Sequence, residues 1–263
     1  MKVAAIQMSS GPRVVDNLEI AQRYISEAAE AGAVVVALPE NFSLMAKNQS
    51  DRLAAARVEN EIHTFLSEAA REHRLVLIGG SVPLPAAAGR VTNTCLVYGR
   101  DGECLARYDK MHLFDVELKD GESYAESRYI EPGDKLAIVN AIGTRIGLTV
   151  CYDVRFPEVY RELVRQGAEL LTVPSAFAIS TGRIHWEVLL RARAIENLCW
   201  VIAPAQTGDH PDRSTWGHSL IISPWGEVIA EKPSGTGPIF AEANLMELRE
   251  LRSRFPSLEH RRL

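Results

Sequence analysis

Arg145-Ile146-Gly147-Leu148-Thr149-Val150-Cys151-Tyr152-Asp153-Val154-Arg155-Phe156-Pro157-Glu158 reads as a buried strand that turns sharply into a helix. The apolar residues up to Val150 suit a strand. Pro157 suits an early helical position, where its missing N–H would have no partner in any case. The helix is expected over Pro157–Gln166 with Gly167 as its stop, and Leu170–Val173 is expected to be the next strand. Strands of this apolar kind alternating with helices call for a sheet covered by helices.

The alternation continues in both directions. Upstream, Val3–Met8 and Ala33–Leu38 read as buried strands on either side of a helix over Asn17–Ala31, which Gly32 ends. Asn60–His73 reads as a helix and Arg74–Ile78 as a strand running into Gly79-Gly80. Cys95–Tyr98 and Glu103–Tyr108 flank Gly99-Arg100-Asp101-Gly102, which signals a hairpin. Downstream, a helix is expected over His185–Asn197 and a strand over Cys199–Ala203. A second hairpin is expected from Leu220–Ser223 and Glu227–Glu231 around Pro224-Trp225-Gly226. The halves resemble each other: Thr94–Ala106 matches His218–Ala230, and Gly32–Phe42 matches Gly167–Phe177. Each half reads as β-α-β-α-β followed by a hairpin. The chain is therefore read as one domain over residues 1–263, with an internal repeat of roughly 1–130 and 140–240 and a C-terminal tail. Pairing the two sheets face to face gives an α/β fold of helix–sheet–sheet–helix layers.

Composition narrows the function. The 263 residues are 46% hydrophobic and 24% charged, an ordinary globular balance, with a formal net charge of −5. A mildly acidic chain has no broad attraction for nucleic acid or an anionic membrane surface. No apolar stretch approaches the roughly 18 residues of a membrane span, and Met1–Met8 is too short for a secretory leader. The four cysteines form no CxxC pair and no zinc-like cluster, so free thiols in a reducing, cytoplasmic setting and no bound metal are expected.

Cys95, Cys104 and Cys199 lie in strand runs with apolar neighbours and read as buried structural thiols. Cys151 differs, because a strand-to-helix turn projects it at the sheet edge. The positive end of the following helix there favours a thiolate, the reactive form. Glu40 directly follows a buried strand in Leu38-Pro39-Glu40-Asn41-Phe42. Poor solvation there is expected to raise its pKa and let it act as a base, or else it is a solvated loop residue. Lys110, in Tyr108-Asp109-Lys110-Met111-His112-Leu113, is either a surface snorkel or an oxyanion partner. Glu126 alone is a turn residue.

Taken together, Leu38-Pro39-Glu40, Tyr108-Asp109-Lys110-Met111-His112-Leu113 and Val150-Cys151-Tyr152-Asp153-Val154-Arg155-Phe156-Pro157-Glu158 resemble the nitrilase superfamily, the carbon–nitrogen hydrolases. The resemblance runs over essentially the whole chain, including Pro174-Ser175-Ala176-Phe177, Thr181-Gly182, His185-Trp186-Glu187 and Gly217-His218-Ser219. It implies an αββα sandwich with the inner sheets paired. It implies a Glu-Lys-Cys triad in which Glu40 is the base, Lys110 the oxyanion stabiliser and Cys151 the nucleophile, with Glu126 as a second carboxylate. It implies a thioester intermediate, no metal or organic cofactor, and at least a homodimer.

Cys151-Tyr152-Asp153 stands where true nitrilases usually carry Cys-Trp-Glu, and so resembles the amidase branch. Asp115-Val116-Glu117, Ser175-Ala176-Phe177 and His185–Glu196 look most like the deaminated glutathione amidases. Those enzymes release α-ketoglutarate and cysteinylglycine. Omega-amidases, acting on α-ketoglutaramate or α-ketosuccinamate, are the alternative, with a carbamoylase or aliphatic amidase beyond them. A non-catalytic binder of a metabolite or partner is a different class, against which the filled triad counts. The substrate-binding candidates are Tyr152, Arg155, Ser175, Phe177, Thr181, Arg183 and His185. Tyr152 would offer its N–H to the oxyanion. Arg183 stands where relatives usually carry proline, and either grips a substrate carboxylate bidentately or points to solvent. Arg155 either does the same or pairs with Glu158. His185 and His218 either line the pocket or satisfy backbone groups. The tail Phe255–Arg262 is either an interface element or a frayed end.

Overall fold

The computed structural model describes residues 1–118, 121–211 and 213–262. In chain order it begins β1 (Lys2–Gln7), α1 (Val14–Glu30), β2 (Val35–Ala37), α2 (Gln49–Ala56), α3 (Glu59–His73), β3 (Val76–Ile78), β4 (Val82–Pro85), β5 (Val91–Tyr98) and β6 (Cys104–Asp109). Three short strands follow: β7 (Asp115–Glu117), β8 (Ser123–Ala125) and β9 (Ile130–Glu131). Next come β10 (Ile138–Ala141), β11 (Thr144–Leu148), α4 (Pro157–Arg165), β12 (Leu170–Thr172), α5 (Ile179–Asn197) and β13 (Trp200–Ala203). The chain closes with β14 (Thr207–Asp209), β15 (Ser214–Trp216), β16 (Ser219–Ile222), β17 (Val228–Lys232), β18 (Gly237–Glu242) and α6 (Leu245–Arg254).

Two sheets carry the fold. One has the order β18-β1-β2-β3-β5-β4, with β6 and β9 also paired to β5; the other has the order β10-β11-β12-β13-β16-β17. β1, β2 and β3 are parallel, as are β11, β12 and β13. Strand alternation sets the layers, because successive side chains point to opposite faces. Ala4, Ile6, Val36 and Leu77 pack with Ile25 and Ala28 of α1 and with Ile62 and Leu66 of α3. Their neighbours Val3, Ala5, Val35 and Ile78 belong instead to a core shared with Ile146, Leu148, Leu170 and Ile202 of the second sheet. Leu163 of α4 and Leu190 of α5 cover that sheet from outside. Each fully buried Val, Ile or Leu among them contributes about 1.5–3 kcal/mol. The result is the expected αββα sandwich.

The structure also departs from expectation. α5 starts at Ile179 rather than His185, running through Ser180-Thr181-Gly182, which look like turn residues in the sequence. Gly182 is there for packing, since a Cβ would sit 2.5 Å from the Trp216 side chain. α2, α6, β4, β10 and β18 were not anticipated. β18 pairs antiparallel with β1, Lys2 opposite Glu242 and Gln7 opposite Gly237, so the last strand closes the first sheet. Cys104, expected in a core, is exposed at the start of β6. No helix among the described residues is long and apolar enough to cross a membrane.

Candidate active site

The parallel strands of each sheet deliver one reactive side chain from just past their carboxyl ends, the usual place for chemistry in such sheets. Glu40 follows β2. Its position is fixed by Gly80, whose backbone lies so close to Pro39 that an added Cβ would meet the Pro39 carbonyl oxygen at 2.0 Å. Asn41 then takes a left-handed φ of 56° and its N–H donates to Ser81 Oγ at 3.0 Å. Cys151 follows β11 and also has a left-handed φ, 47°. Its N–H donates to the Pro174 carbonyl at 2.9 Å, and a tight 3-10 turn over Cys151–Arg155 leads to α4. Non-glycine residues held at positive φ cost about 1–3 kcal/mol each and collect at functional sites.

Asp153 ties this turn to the loop that carries Lys110. It is fully buried; one oxygen accepts from the Tyr108 hydroxyl at 2.7 Å and the Val150 N–H at 2.8 Å. The other accepts from the His112 N–H at 3.1 Å and lies 2.8 Å from His112 Nδ1. The His112 ring stacks on Phe156, with centroids 3.7 Å apart. Lys110 is held between these contacts by its own N–H, which donates to the Asn93 carbonyl at 2.9 Å.

The side chains meet in a buried ionic cluster. Lys110 Nζ donates to Glu40 Oε1 at 3.0 Å and to both oxygens of Glu126 at 3.1 and 2.9 Å. Asn93 Nδ2 donates to Glu40 Oε1 at 2.9 Å and to Glu126 Oε1 at 3.3 Å. Glu40 Oε2 accepts from the Ala176 N–H at 2.8 Å, and Glu126 Oε2 from the Phe114 N–H at 2.7 Å. Burial alone would raise the Glu40 pKa. Lys110, Arg213 and hydrogen bonds from Lys110 and Cys151 outweigh it, so the carboxyl is held below its ordinary range. Burial would likewise discharge Lys110, but Glu126, Glu40 and Cys151 push its pKa up and keep it an ammonium. The Cys151 thiol goes up, driven first by burial and then by the Glu40 charge, with Lys110 opposing.

Two expectations are thereby corrected. Glu40 is not a carboxyl of raised pKa, because three donors and an ammonium face it. Cys151 is not tilted toward the thiolate, because burial and the Glu40 charge raise its pKa more than Lys110 and the Ala176 backbone lower it. The arrangement is a neutral thiol beside a strong buried ion pair, so thiol ionisation has to accompany attack on an electrophile.

A cavity of about 200 Å³ opens above this cluster, lined by Glu40, Lys110, Glu126 and Cys151 together with Tyr124, Tyr152, Phe177 and Arg213. Among the described residues, no group of three His, Cys, Asp or Glu side chains is placed to hold a metal ion.

The carbon-nitrogen hydrolase family model matches residues 2–253. The chain belongs to this family, part of the nitrilase superfamily. It is 45% identical to a deaminated glutathione amidase of Synechocystis sp., over 98% of this chain and 97% of that protein. It is 37% identical to the human omega-amidase NIT2, over 99% of this chain and 95% of that protein. The crystal structure of the NitFhit protein of C. elegans superposes with a TM-score of 0.92 at 38% identity; it matches 99% of this chain, which spans 65% of that longer protein.

In this carbon–nitrogen hydrolase the anticipated substrate-binding residues divide. Tyr152, Phe177 and Thr181 line the cavity. Tyr152 sits edge-on to Phe114 and Phe156, and Phe177 leans on Trp186. Ser175 is buried away from it, its hydroxyl donating to the Val173 carbonyl at 3.0 Å. Arg155 neither lines the cavity nor pairs with Glu158. Its guanidinium lies over the Tyr152 and Phe177 rings and 3.3 Å from His185 Nδ1, which also takes His185 off the cavity. Arg183 lies exposed on α5, 6.0 Å over the Trp216 ring. His218 stacks on Trp216, and its Nδ1 lies 2.6 Å from Glu231 Oε1.

Sequence reasoning missed Asn93, Tyr124 and Arg213. Asn93 had a signal: Thr92-Asn93-Thr94 is a polar run at the head of an otherwise apolar strand. Tyr124 and Arg213 reach the cavity from the hairpin loops around β8 and β14–β15, and nothing local in the sequence places them there.

Proposed function

We propose that this chain is an amidase that cleaves a small linear amide bearing a carboxylate, through a thioester on Cys151. The observation that carries the reading is one geometry: a thiol lining a cavity, hydrogen-bonded to a carboxylate and in the field of an ammonium, the two charges themselves paired. Glu40 takes the Cys151 proton as sulfur attacks the carbonyl carbon. Lys110, with the Tyr152 N–H, stabilises the tetrahedral oxyanion; a single such donor is worth about 10²–10³ in rate. Glu40 returns the proton to the departing amine, and the carbon–nitrogen bond breaks to leave the thioester. Glu40 then takes a proton from water, hydroxide adds to the thioester, and the acid leaves as the thiol is restored. Glu126 and Asn93 hold Lys110 and Glu40 in register throughout.

For the substrate, the Synechocystis relative supports deaminated glutathione, with α-ketoglutarate and cysteinylglycine as products. The human relative supports an omega-amide of an α-keto acid as the second reading. Four free cysteines support a reducing, cytoplasmic setting. Exposed Ile184, Val188 and Ile195 along α5 support a homodimer. The test is a side-by-side measurement of kcat/KM on deaminated glutathione and α-ketoglutaramate, expected to favour the former by at least about tenfold, or about 1.4 kcal/mol in transition-state binding. Equal or reversed rates would sink the first substrate, and mass spectrometry without an acyl adduct on Cys151 would sink the mechanism.

A further inference from the structure

The cavity contains a cation that the chemistry above does not use. Arg213 projects from the hairpin between β14 and β15. That hairpin is pinned from behind: the His210 N–H donates to the Arg213 carbonyl at 2.8 Å, and the His210 ring nitrogens lie 3.0 Å from the Ser10 carbonyl and 2.8 Å from Thr215 Oγ1. The guanidinium therefore leaves a fixed backbone and crosses to the Tyr124 ring, 5.9 Å from its centroid. Among the described residues its Nε is buried without a hydrogen-bond acceptor, and no carboxylate pairs with it. Its charge nonetheless acts on Glu40.

The other cations near the site are engaged differently. Lys110 is committed to Glu40 and Glu126. Arg155 and Arg183, the two arginines the sequence suggested for a carboxylate, lie on aromatic rings outside the cavity lining. Arg52 lines the cavity against Tyr129. Across the lining, Arg52, Lys110 and Arg213 stand against the carboxylates of Glu40 and Glu126. An anionic substrate entering beside those two carboxylates meets like charge unless a cation receives it. A guanidinium is suited to the task, because its planar fork matches a carboxylate with two parallel hydrogen bonds.

We propose that Arg213 is the substrate-carboxylate receptor of this cavity, held by the β14–β15 hairpin with its hydrogen-bonding edge kept open for the ligand. The inference rests on the amidase reading above and adds to it the residue that makes the enzyme select acids over neutral amides.

The experiment compares deaminated glutathione with its ester-capped counterpart, in which the carboxylates are methyl esters, on wild type, Arg213→Gln and Arg213→Lys. Arg213→Gln is expected to lower kcat/KM on the acid by about 10- to 100-fold, the range of a charged hydrogen bond, and on the ester by less than about threefold. Arg213→Lys is expected to recover part of the loss by charge alone. Equal losses on acid and ester would reduce Arg213 to a structural role, and unchanged turnover of the acid would remove it from the site. A wild-type enzyme that prefers the ester would instead break the acid-amide reading itself. Should Arg213→Gln fail to fold, calorimetric titration of α-ketoglutarate into Cys151→Ala and Cys151→Ala/Arg213→Lys decides the matter. At least tenfold weaker binding in the double variant supports the assignment, and equal binding overturns it.

Discussion

Cys151 and Cys199 serve the same sheet from opposite ends. Both thiols are buried and both are pushed up by burial, Cys199 to about 12. Both have a cation at hand: Lys110 near the first, and Arg252 Nη2 only 2.9 Å from the second sulfur. A cation beside a thiol therefore does not make a nucleophile. Cys151 lies past the carboxyl end of β11, where a cavity reaches it and Glu40 can take its proton. Cys199 precedes β13 at the amino end, and its sulfur faces the carbonyls of Ala168 and Asn197 at 3.3 and 3.4 Å. Base and access, set by which end of the strand carries the residue, decide reactivity.

Removing each sulfur in turn separates the two sites. Cys151→Ala is expected to lower kcat by about 10⁵–10⁶, the scale of a lost nucleophile. Cys199→Ala should leave kcat within about threefold and shift the urea midpoint by the equivalent of about 1–2 kcal/mol. Substantial turnover by Cys151→Ala would reverse the assignment.

Glu40→Gln comes next. Amide hydrolysis should fall by about 10²–10⁴, the usual contribution of a general base. The thiol itself should become easier to ionise, because the carboxylate that raised it is gone while Lys110 remains. Iodoacetamide should then label Cys151 faster at mildly alkaline pH even as catalysis is lost, a split that mass spectrometry reads directly. The same pair fixes the acid limb of the wild-type rate profile. Glu40 works as a carboxylate and its pKa is lowered, so kcat/KM should hold level as pH falls through the ordinary carboxylate range. It should drop only below that, as Glu40 takes a proton. A fall beginning above that range would show that Glu40 is not the base.

Lys110→Ala should cost about 10²–10³ in kcat. It should also lower the melting temperature, because Glu40 and Glu126 would face each other without the ammonium between them. The smallest effect belongs to the silent cysteine. Arg252→Ala strips donors from the Leu198 and Ala168 carbonyls as well as from the Cys199 sulfur. A loss of about 1–2 kcal/mol in denaturant titrations is expected, with kcat unchanged. A drop in kcat would mean that the amino end of the sheet communicates with the cavity.

Much of this was legible because periodicity and punctuation are local. The runs Val3–Met8, Ala33–Leu38 and Arg145–Val150 announce buried strands, and Gly32 and Gly167 stop the helices between them. Glu40 and Cys151 stand out for the same reason, as polar groups placed directly after apolar strands. What escaped is what distant contacts decide. Gly182 sits inside α5 because Trp216 occupies the space a Cβ would need. Its sequence context gives Glu40 a raised pKa, and Lys110, seventy positions along the chain, reverses the direction. Arg155 and Arg183 stand in recognisable motifs but lie outside the cavity lining, whereas Arg213, unremarkable in its hairpin, is part of it.

The pairing of β18 with β1 has a consequence for how the molecule comes into being. Lys2 leaves the ribosome long before its β18 partner Glu242. Throughout that interval β1 presents an open edge, and for the earlier part of it Glu40 waits without Cys151 and the Ala176 N–H it will face. Contacts this distant in sequence make folding slow and leave strand edges exposed to association while they wait. The nascent chain is thus expected to be prone to association until β18 has been made.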